Sequence, residues 1–155
     1  MRCEILGLAA LTTLLCAGAA AAEATSVICR DFKGVSVFSG AQSGNGIATD
    51  GVRGPITFEV SNSGAVRDVR YFKASAGTDR SARQDGATVT SKWLTVDATV
   101  LRVTVVWPET REEFAIAKGA DGKINAGMSS VRDLGYSRML VASGTCTASD
   151  KNFLR

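Results

Sequence analysis

Apolar and polar residues alternate in short runs along most of this chain, and that period predicts β-strands. Every second residue from Ile56 to Ser61 is apolar, so one face of that strand is expected to lie on the core. Asn62–Gly64 predicts a turn, and Val66–Phe72 predicts the returning strand of a hairpin. The alternation slips at Arg67–Asp68, where a β-bulge would restore the apolar face.

A second hairpin is predicted from Val100 to Ala117. Its first strand has one apolar face, formed by Leu101, Val103, Val105 and Trp107. Pro108–Thr110 turns the chain, and Phe114 and Ile116 face inward on the return strand. The opposite face of the first strand is semi-apolar.

Weaker patterns complete the set of strands. Ala87–Ser91 and Trp93–Val96 are predicted as two short strands. Gly119–Lys123 contains an Asp-Gly pair and predicts a turn before a short strand around Ile124. No helix is supported beyond a single turn over Ser129–Leu134.

The first and last strands are predicted at Val27–Phe38 and Ser137–Thr147, and each contains one cysteine. With about eight strands in all, the pattern predicts a single all-β antiparallel meander over residues 23–155. The meander would form a closed or partly open β-barrel, or a β-sandwich, and both stay open at this point. The C-terminal five residues are expected to be a frayed tail.

The first 22 residues have the composition of a secretory signal peptide. Arg2 is followed by an uncharged apolar run, Ile5–Ala17, and then by small residues. A basic start, a run of about 7–15 apolar residues and an Ala-x-Ala end are typical of such peptides. Cleavage is expected after Ala22 or Ala24. We therefore expect a periplasmic or secreted protein with no stable membrane span after cleavage.

Signal cleavage would remove Cys3 and Cys16 and leave Cys29 and Cys146. An even number of cysteines in an exported chain implies a disulfide, because that compartment is oxidising. Two cysteines allow one intramolecular pairing, so Cys29–Cys146 is predicted to join the first strand to the last.

Two segments carry little strand pattern and are predicted as long surface loops. Residues 39–54 are rich in glycine, and residues 74–86 are polar and charged. Long loops on a rigid scaffold often carry function. We therefore predict that they contact a partner, with five candidate residues: Asn45, Asp50, Arg53, Arg80 and Arg83.

The composition excludes several kinds of chemistry. The chain has no histidine, which removes Ser-His-Asp and Cys-His nucleophile activation and the commonest transition-metal ligand. Met128 and Met139 are interpreted as core residues rather than soft metal ligands, as are five aromatic residues: Phe58, Phe72, Trp93, Trp107 and Phe114. Gly44–Gly46 lacks the Gly-Lys-Ser/Thr of a phosphate-binding loop. No catalytic residue, cofactor or metal is therefore predicted.

Charge argues against a nucleic-acid partner. The formal net charge is +3, and the basic residues from Arg67 to Arg83 are interrupted by Asp68 and Asp79. A nucleic-acid module normally concentrates its basic residues in one stripe. Paired carboxylates are still a possible catalytic set, and Asp97 is the acid with the least solvated surroundings. We interpret Asp97 as a capping residue at a strand end or turn.

Three functional classes fit these observations. The first is an exported, non-enzymatic binding protein that engages another protein through its long loops, as an inhibitor, an immunity-type partner or an envelope-assembly factor. The second is a barrel-type carrier of a small apolar ligand. The third is a hydrolase that uses carboxylates alone. The absence of a catalytic set favours the first class.

Overall fold

The computed structural model describes residues 25–40, 46–73, 75–94, 99–133, 137–150 and 152–154, and these contain strands, turns and no helix. The ten strands are β1 (Thr25–Ser39), β2 (Gly46–Val52), β3 (Ile56–Val60), β4 (Val66–Lys73), β5 (Thr78–Ser81), β6 (Thr88–Trp93), β7 (Val100–Trp107), β8 (Thr110–Lys118), β9 (Ile124–Asp133) and β10 (Ser137–Ala148). The predicted signal peptide, Asn45 and Asp97 lie outside the described residues.

The ten strands form one antiparallel sheet in the order β5-β4-β3-β1-β10-β9-β8-β7-β6, and β2 pairs with β1 beside β3. The sheet curls into a half-barrel, which confirms the all-β prediction and favours a partly open barrel over a sandwich. The long strand β1 pairs with three other strands. The first part of β1 pairs with β3, its second part pairs with β2, and β10 runs along its other edge.

The Cys29–Cys146 disulfide is confirmed, with an S–S distance of 2.05 Å. The two cysteines are register partners on β1 and β10, so the bond joins the first strand to the last as predicted. A disulfide of this kind is characteristic of a non-cytoplasmic, oxidising compartment.

A β-bulge in β1 follows the disulfide. Arg30 pairs with Thr145 and Lys33 with Ser143, so Asp31 and Phe32 together face Gly144. Asp31 has a positive φ of 56°, a backbone conformation that few non-glycine residues adopt outside bulges and turns. A Cβ at Gly144 would lie 2.5 Å from the Arg30 carbonyl oxygen and 3.1 Å from the Phe32 ring, so glycine at this position makes room for the bulge.

The open side of the half-barrel is bridged by side chains rather than by a ladder of backbone hydrogen bonds. The Val66 amide donates to Ser91 Oγ at 2.8 Å. The Arg83 guanidinium donates to the carbonyl oxygens of Arg67 at 2.5 Å and Val89 at 2.6 Å. These bonds hold β4 against β6, and we call this contact the seam.

The core fills one end of the half-barrel. Phe114 contacts Phe32 and Phe58 edge-to-face, with ring centroids 6.3 and 5.1 Å apart, a favourable geometry for aromatic pairs. At the base of this end, Leu154 is buried and Phe153 packs against Trp93 with centroids 5.7 Å apart. The prediction of a frayed C-terminal tail is wrong, because these two apolar side chains close the base of the core.

Both predicted hairpins are confirmed. The turn between β3 and β4 places Gly64 at a φ of +79°, which favours glycine. The register shifts there as well, since Val60 pairs with Val66 and Glu59 with Asp68. Arg67 is therefore the extra residue of the predicted bulge.

The chain has more and longer strands than the pattern predicts. Residues 129–133 belong to β9 and extend the predicted short strand at Ile124 by nearly ten residues, so the predicted helical turn is wrong. The predicted strands on either side of Lys92 are one strand, β6, over the described residues. Small and polar residues on both faces weaken the alternation of β9, and pairing with β8 and β10 determines its structure.

The two predicted loops each contain a strand. Residues 39–54 include β2 and residues 74–86 include β5, so the interpretation of both segments as loops is wrong. Within the described part of the chain, each strand pairs on one side only and is largely exposed. Such strands need little apolar alternation, because their pairing with distant residues supplies most of their stabilisation.

Candidate functional site

Most of the inward-facing residues at the end of the half-barrel opposite the base are polar or charged. Each lies an even number of residues from a core residue on the same strand and therefore points inward as well. Tyr71 comes two residues after Val69 on β4, and Glu112 comes two residues before Phe114 on β8. We call this end the mouth, and its inward residues are Tyr71, Trp107, Glu112, Ser130, Arg132 and Arg138. The same strand geometry that builds the core therefore aims these side chains at one space.

A buried acid lies at the centre of the mouth. Glu112 is 7% exposed, and the Tyr71 hydroxyl donates a hydrogen bond of 2.6 Å to its Oε2 atom. Burial raises the pKa of Glu112, although the Tyr71 hydrogen bond and the charge of Arg132 act in the opposite direction. Burial and the nearby Glu112 charge also raise the pKa of Tyr71, which keeps the hydroxyl protonated as a donor.

A second polar group borders the mouth on β1, β2 and β10. The Asp50 carboxylate accepts hydrogen bonds from the hydroxyl of Ser36, which is fully buried, and from the Arg138 guanidinium. It also accepts the amide of Gly51 at 2.7 Å. The Ser36 hydrogen bond is the largest cause of the lowered pKa of Asp50, with further contributions from Gly51 and Arg138. Asp50 therefore stays ionised and holds Arg138 in place.

Two open cavities adjoin at the mouth and share Tyr71, Glu112 and Arg132 as a common wall. The larger, about 460 Å³, also has Trp107 and Lys73 in its lining. The smaller, about 270 Å³, has three arginines in its lining: Arg53, Arg132 and Arg138. The Tyr71 and Trp107 rings contact each other with centroids 5.6 Å apart.

The outer surface of the same region is apolar. Val37 on β1 has Ile47 and Met139 as its register partners on either side, and Met139 is also the partner of Val131. On the next row, Val35 is opposite Val141. These six side chains are each 47–77% exposed, and we call them the outer band: Val35, Val37, Ile47, Val131, Met139 and Val141.

The outer band ends at an edge strand. Among the described residues, β2 pairs with β1 alone, so one side of its backbone has no partner strand. Its only charged residue, Asp50, points inward to Arg138. The outward side chain Ile47 is 77% exposed. The edge therefore lacks the outward charges or prolines that commonly block strand addition.

The structure gives the predicted contact residues different positions. Asp50, Arg53 and Arg80 come together around the mouth, although Arg80 forms an ion pair with Asp85 at 2.7 Å. Arg83 lies at the seam, where both of its hydrogen bonds go to backbone carbonyls. Their role as partner contacts stays a prediction.

Sequence reasoning missed Tyr71, Glu112, Arg132 and Arg138. A signal was present for Glu112, because Phe114 and Ile116 were predicted inward and Glu112 shares their parity. Two residues predicted as core are instead exposed: Met139 at 51% and Phe72 at 36%. Both lie where the sheet extends beyond the packed end of the core.

The predicted basic cluster is divided among separate contacts. Arg70 pairs with Glu59 at 2.5 Å, and Arg80 pairs with Asp85. Within the described ranges, no three acidic or cysteine side chains come close enough to hold a metal ion. No helix in that part of the chain is long and apolar enough to cross a membrane.

Comparison with known proteins yields no relative: no family model, curated protein sequence or solved structure matches this chain.

Proposed function

We propose that this chain is an exported, non-enzymatic binding protein that engages another protein through the outer band and the free edge of β2. The observation that carries the proposal is the outer band itself. Monomeric proteins seldom leave a contiguous patch of this kind uncovered unless it is an interaction site.

The polarity of the sheet at the outer band is the reverse of that in the core. The inward residues of β1, β2 and β10 here are Ser36, Asp50 and Arg138, which bond to one another. The outward residues opposite them are valines, Ile47 and Met139. An antiparallel sheet with one solvated face normally places its apolar side chains inward. The reversed pattern therefore supports a partner that covers the outward face.

The free edge of β2 supports a partner that contributes an extended strand. Unpaired backbone groups on an edge strand can bond to an added strand, and neighbouring side chains then supply specificity. Ile47 and Val37 lie beside that edge. A segment with alternating apolar residues would pair with β2 and place side chains on the outer band. This segment would belong to the protein that the chain engages as an inhibitor, an immunity-type partner or an envelope-assembly factor.

The other two classes have less support. The apolar end of the half-barrel is occupied by Phe32, Phe58 and Phe114. The mouth cavities combine apolar side chains with several charged ones, which a wholly apolar ligand would leave unpaired. A carboxylate pair for hydrolysis would need two free acids, whereas Asp50 and Asp85 are engaged by arginines. Export by the predicted signal peptide agrees with the disulfide.

A photo-crosslinking residue in place of Met139 tests the proposal in the cells that produce the protein. We expect an adduct with one discrete partner protein. The additional substitution Ile47→Lys should abolish that adduct, because it places a charge at the edge of the outer band. Thr90→Lys, on the outer face of β6, is the matched control and should leave the adduct unchanged.

Stability measurements separate binding from folding. Ile47 is 77% exposed, so Ile47→Lys should leave the melting temperature within about 2 °C of the wild type. An adduct that survives Ile47→Lys would contradict the proposal. An adduct with twice the mass of the chain would also contradict it, because it would identify a second copy as the occupant of the outer band.

A further inference from the structure

The mouth has more positive than negative charge in its lining. Five basic residues line the two cavities: Arg53, Lys73, Arg80, Arg132 and Arg138. The acids in the same lining are Asp85 and Glu112. Asp85 forms an ion pair with Arg80. Arg138 forms an ion pair with Asp50, which is not part of the cavity lining.

Three of the basic residues have no ion-pair partner among the described residues: Arg53, Lys73 and Arg132. Arg132 lines both cavities, and it lies close enough to Glu112 to favour the ionised form of that acid. Arg53 shares the smaller cavity with Arg132. Two guanidinium groups on one small cavity are a geometry that suits a carboxylate or phosphate, because each group presents several donors in a plane.

The larger cavity adds an apolar wall beside these cations. The Trp107 and Tyr71 rings stand together there, with Phe72 next to them. Small-molecule sites commonly combine an apolar wall with a few converging polar groups. Tyr71 and Arg132 line both cavities, so the aromatic wall and the arginines meet at these two residues.

We propose that the mouth is a binding site for a small organic anion. Its carboxylate would be held by Arg132 and Arg53, and its apolar body would lie against Trp107 and Tyr71. The bonds of Asp50 to Ser36 and Arg138 hold the third arginine at the cavity wall. This site is on the inner face of the sheet and does not depend on the outer band.

Isothermal titration calorimetry with hexanoate tests the site in the oxidised protein. We expect saturable one-to-one binding. Arg132→Gln and Arg53→Gln should each weaken it at least tenfold, as expected when a charged hydrogen-bond partner is lost. Lys118→Gln is the control for loss of a positive charge, because Lys118 is exposed at the end of β8 opposite Glu112, and it should leave the affinity unchanged. Arg53 is also exposed, so its variant should fold even where Arg132→Gln does not.

Two further probes identify what the mouth recognises. Hexanol has the same apolar body without the charge, and equal binding of hexanol and hexanoate would overturn the proposal. Inorganic phosphate has the charge without the body, and binding of phosphate but not of hexanoate would likewise overturn it. Absence of saturable hexanoate binding at millimolar concentration would show that the mouth is not such a site.

Discussion

The disulfide is expected to be the largest single contribution to stability in this fold. Cys29 and Cys146 are 117 residues apart in sequence. For a closed loop of that length, the loss of unfolded-state entropy corresponds to about 4.9 kcal/mol at 25 °C. Measured values for native disulfides in small exported domains are about 2–5 kcal/mol. Either value is a large part of the total of about 5–15 kcal/mol that is usual for a domain.

The change that tests this is the double substitution of Cys29→Ala and Cys146→Ala, which avoids a free thiol. Thermal unfolding followed by circular dichroism should show a melting temperature lower by about 6–25 °C, since a loss of about 2–5 kcal/mol is expected and 1 kcal/mol shifts a domain of this size by about 3–5 °C. The eleven register pairs between β1 and β10 do not depend on the bond, so the variant should fold to the same far-ultraviolet spectrum.

Reduction of the wild-type protein provides the control. The reduced wild type keeps both sulfur atoms, and Cys29 is fully buried, so any extra loss in the alanine variant measures the packing of that sulfur. If the reduced protein and the alanine variant both melt within about 3 °C of the oxidised wild type, the loop-closure reasoning is refuted. Such a result would mean that the β1–β10 ladder alone restrains the chain ends.

Three further predictions concern single positions. Gly34→Ala should lower the free energy of unfolding, measured by urea titration, by about 1–3 kcal/mol, because its Cβ would lie 1.8 Å from a backbone oxygen of β10. Gly127→Ala is the control: its Cβ meets nothing within 4 Å, so the free energy of unfolding should not change. Arg83→Ala should cost about 1–2 kcal/mol by opening the seam, seen as faster hydrogen exchange in β6. Glu112→Gln should raise the melting temperature at neutral pH. Burial raises the pKa of Glu112 in the folded state above its unfolded value, so the wild-type protein loses stability as the pH rises from the unfolded pKa to the folded one. The gain should disappear below about pH 3, where the carboxyl is protonated in both states, and an equal gain at all pH values would contradict this account.

The parts of the fold that could be predicted are those with a strong local signal. Ile56, Phe58 and Val60 alternate cleanly and pack on one side of the core. The turn glycine and the slipped alternation at Arg67 located the hairpin and its bulge. The cysteine count determined the pairing that joins the two ends of the chain. Each of these features is encoded in neighbouring residues or in composition, so one sequence is enough to find it.

Edge strands and the mouth could not be found in this way. β2 and β5 have no apolar period, and their pairing partners lie elsewhere in the chain. Arg53 and Arg132 are 79 positions apart in sequence and share a cavity only because the sheet curls. Predicting such a site requires the register of several strands at once, and alternation within each strand does not supply that register.

The disulfide also indicates which residues of β10 point inward and which belong to the outer band. Cys146 must point inward to reach Cys29, and strict alternation from Cys146 back along β10 places Leu140 inward and Met139 outward, as the structure has them. The interpretation of Met139 as a core residue was therefore avoidable. The same reasoning fails on β1, where alternation from Cys29 would place Val35 and Val37 inward. The bulge at Asp31, with its positive φ, reverses the parity of everything that follows. A single residue in an unusual backbone conformation thus turns two valines from the core to the surface and, with β10, creates the surface that we propose binds a partner.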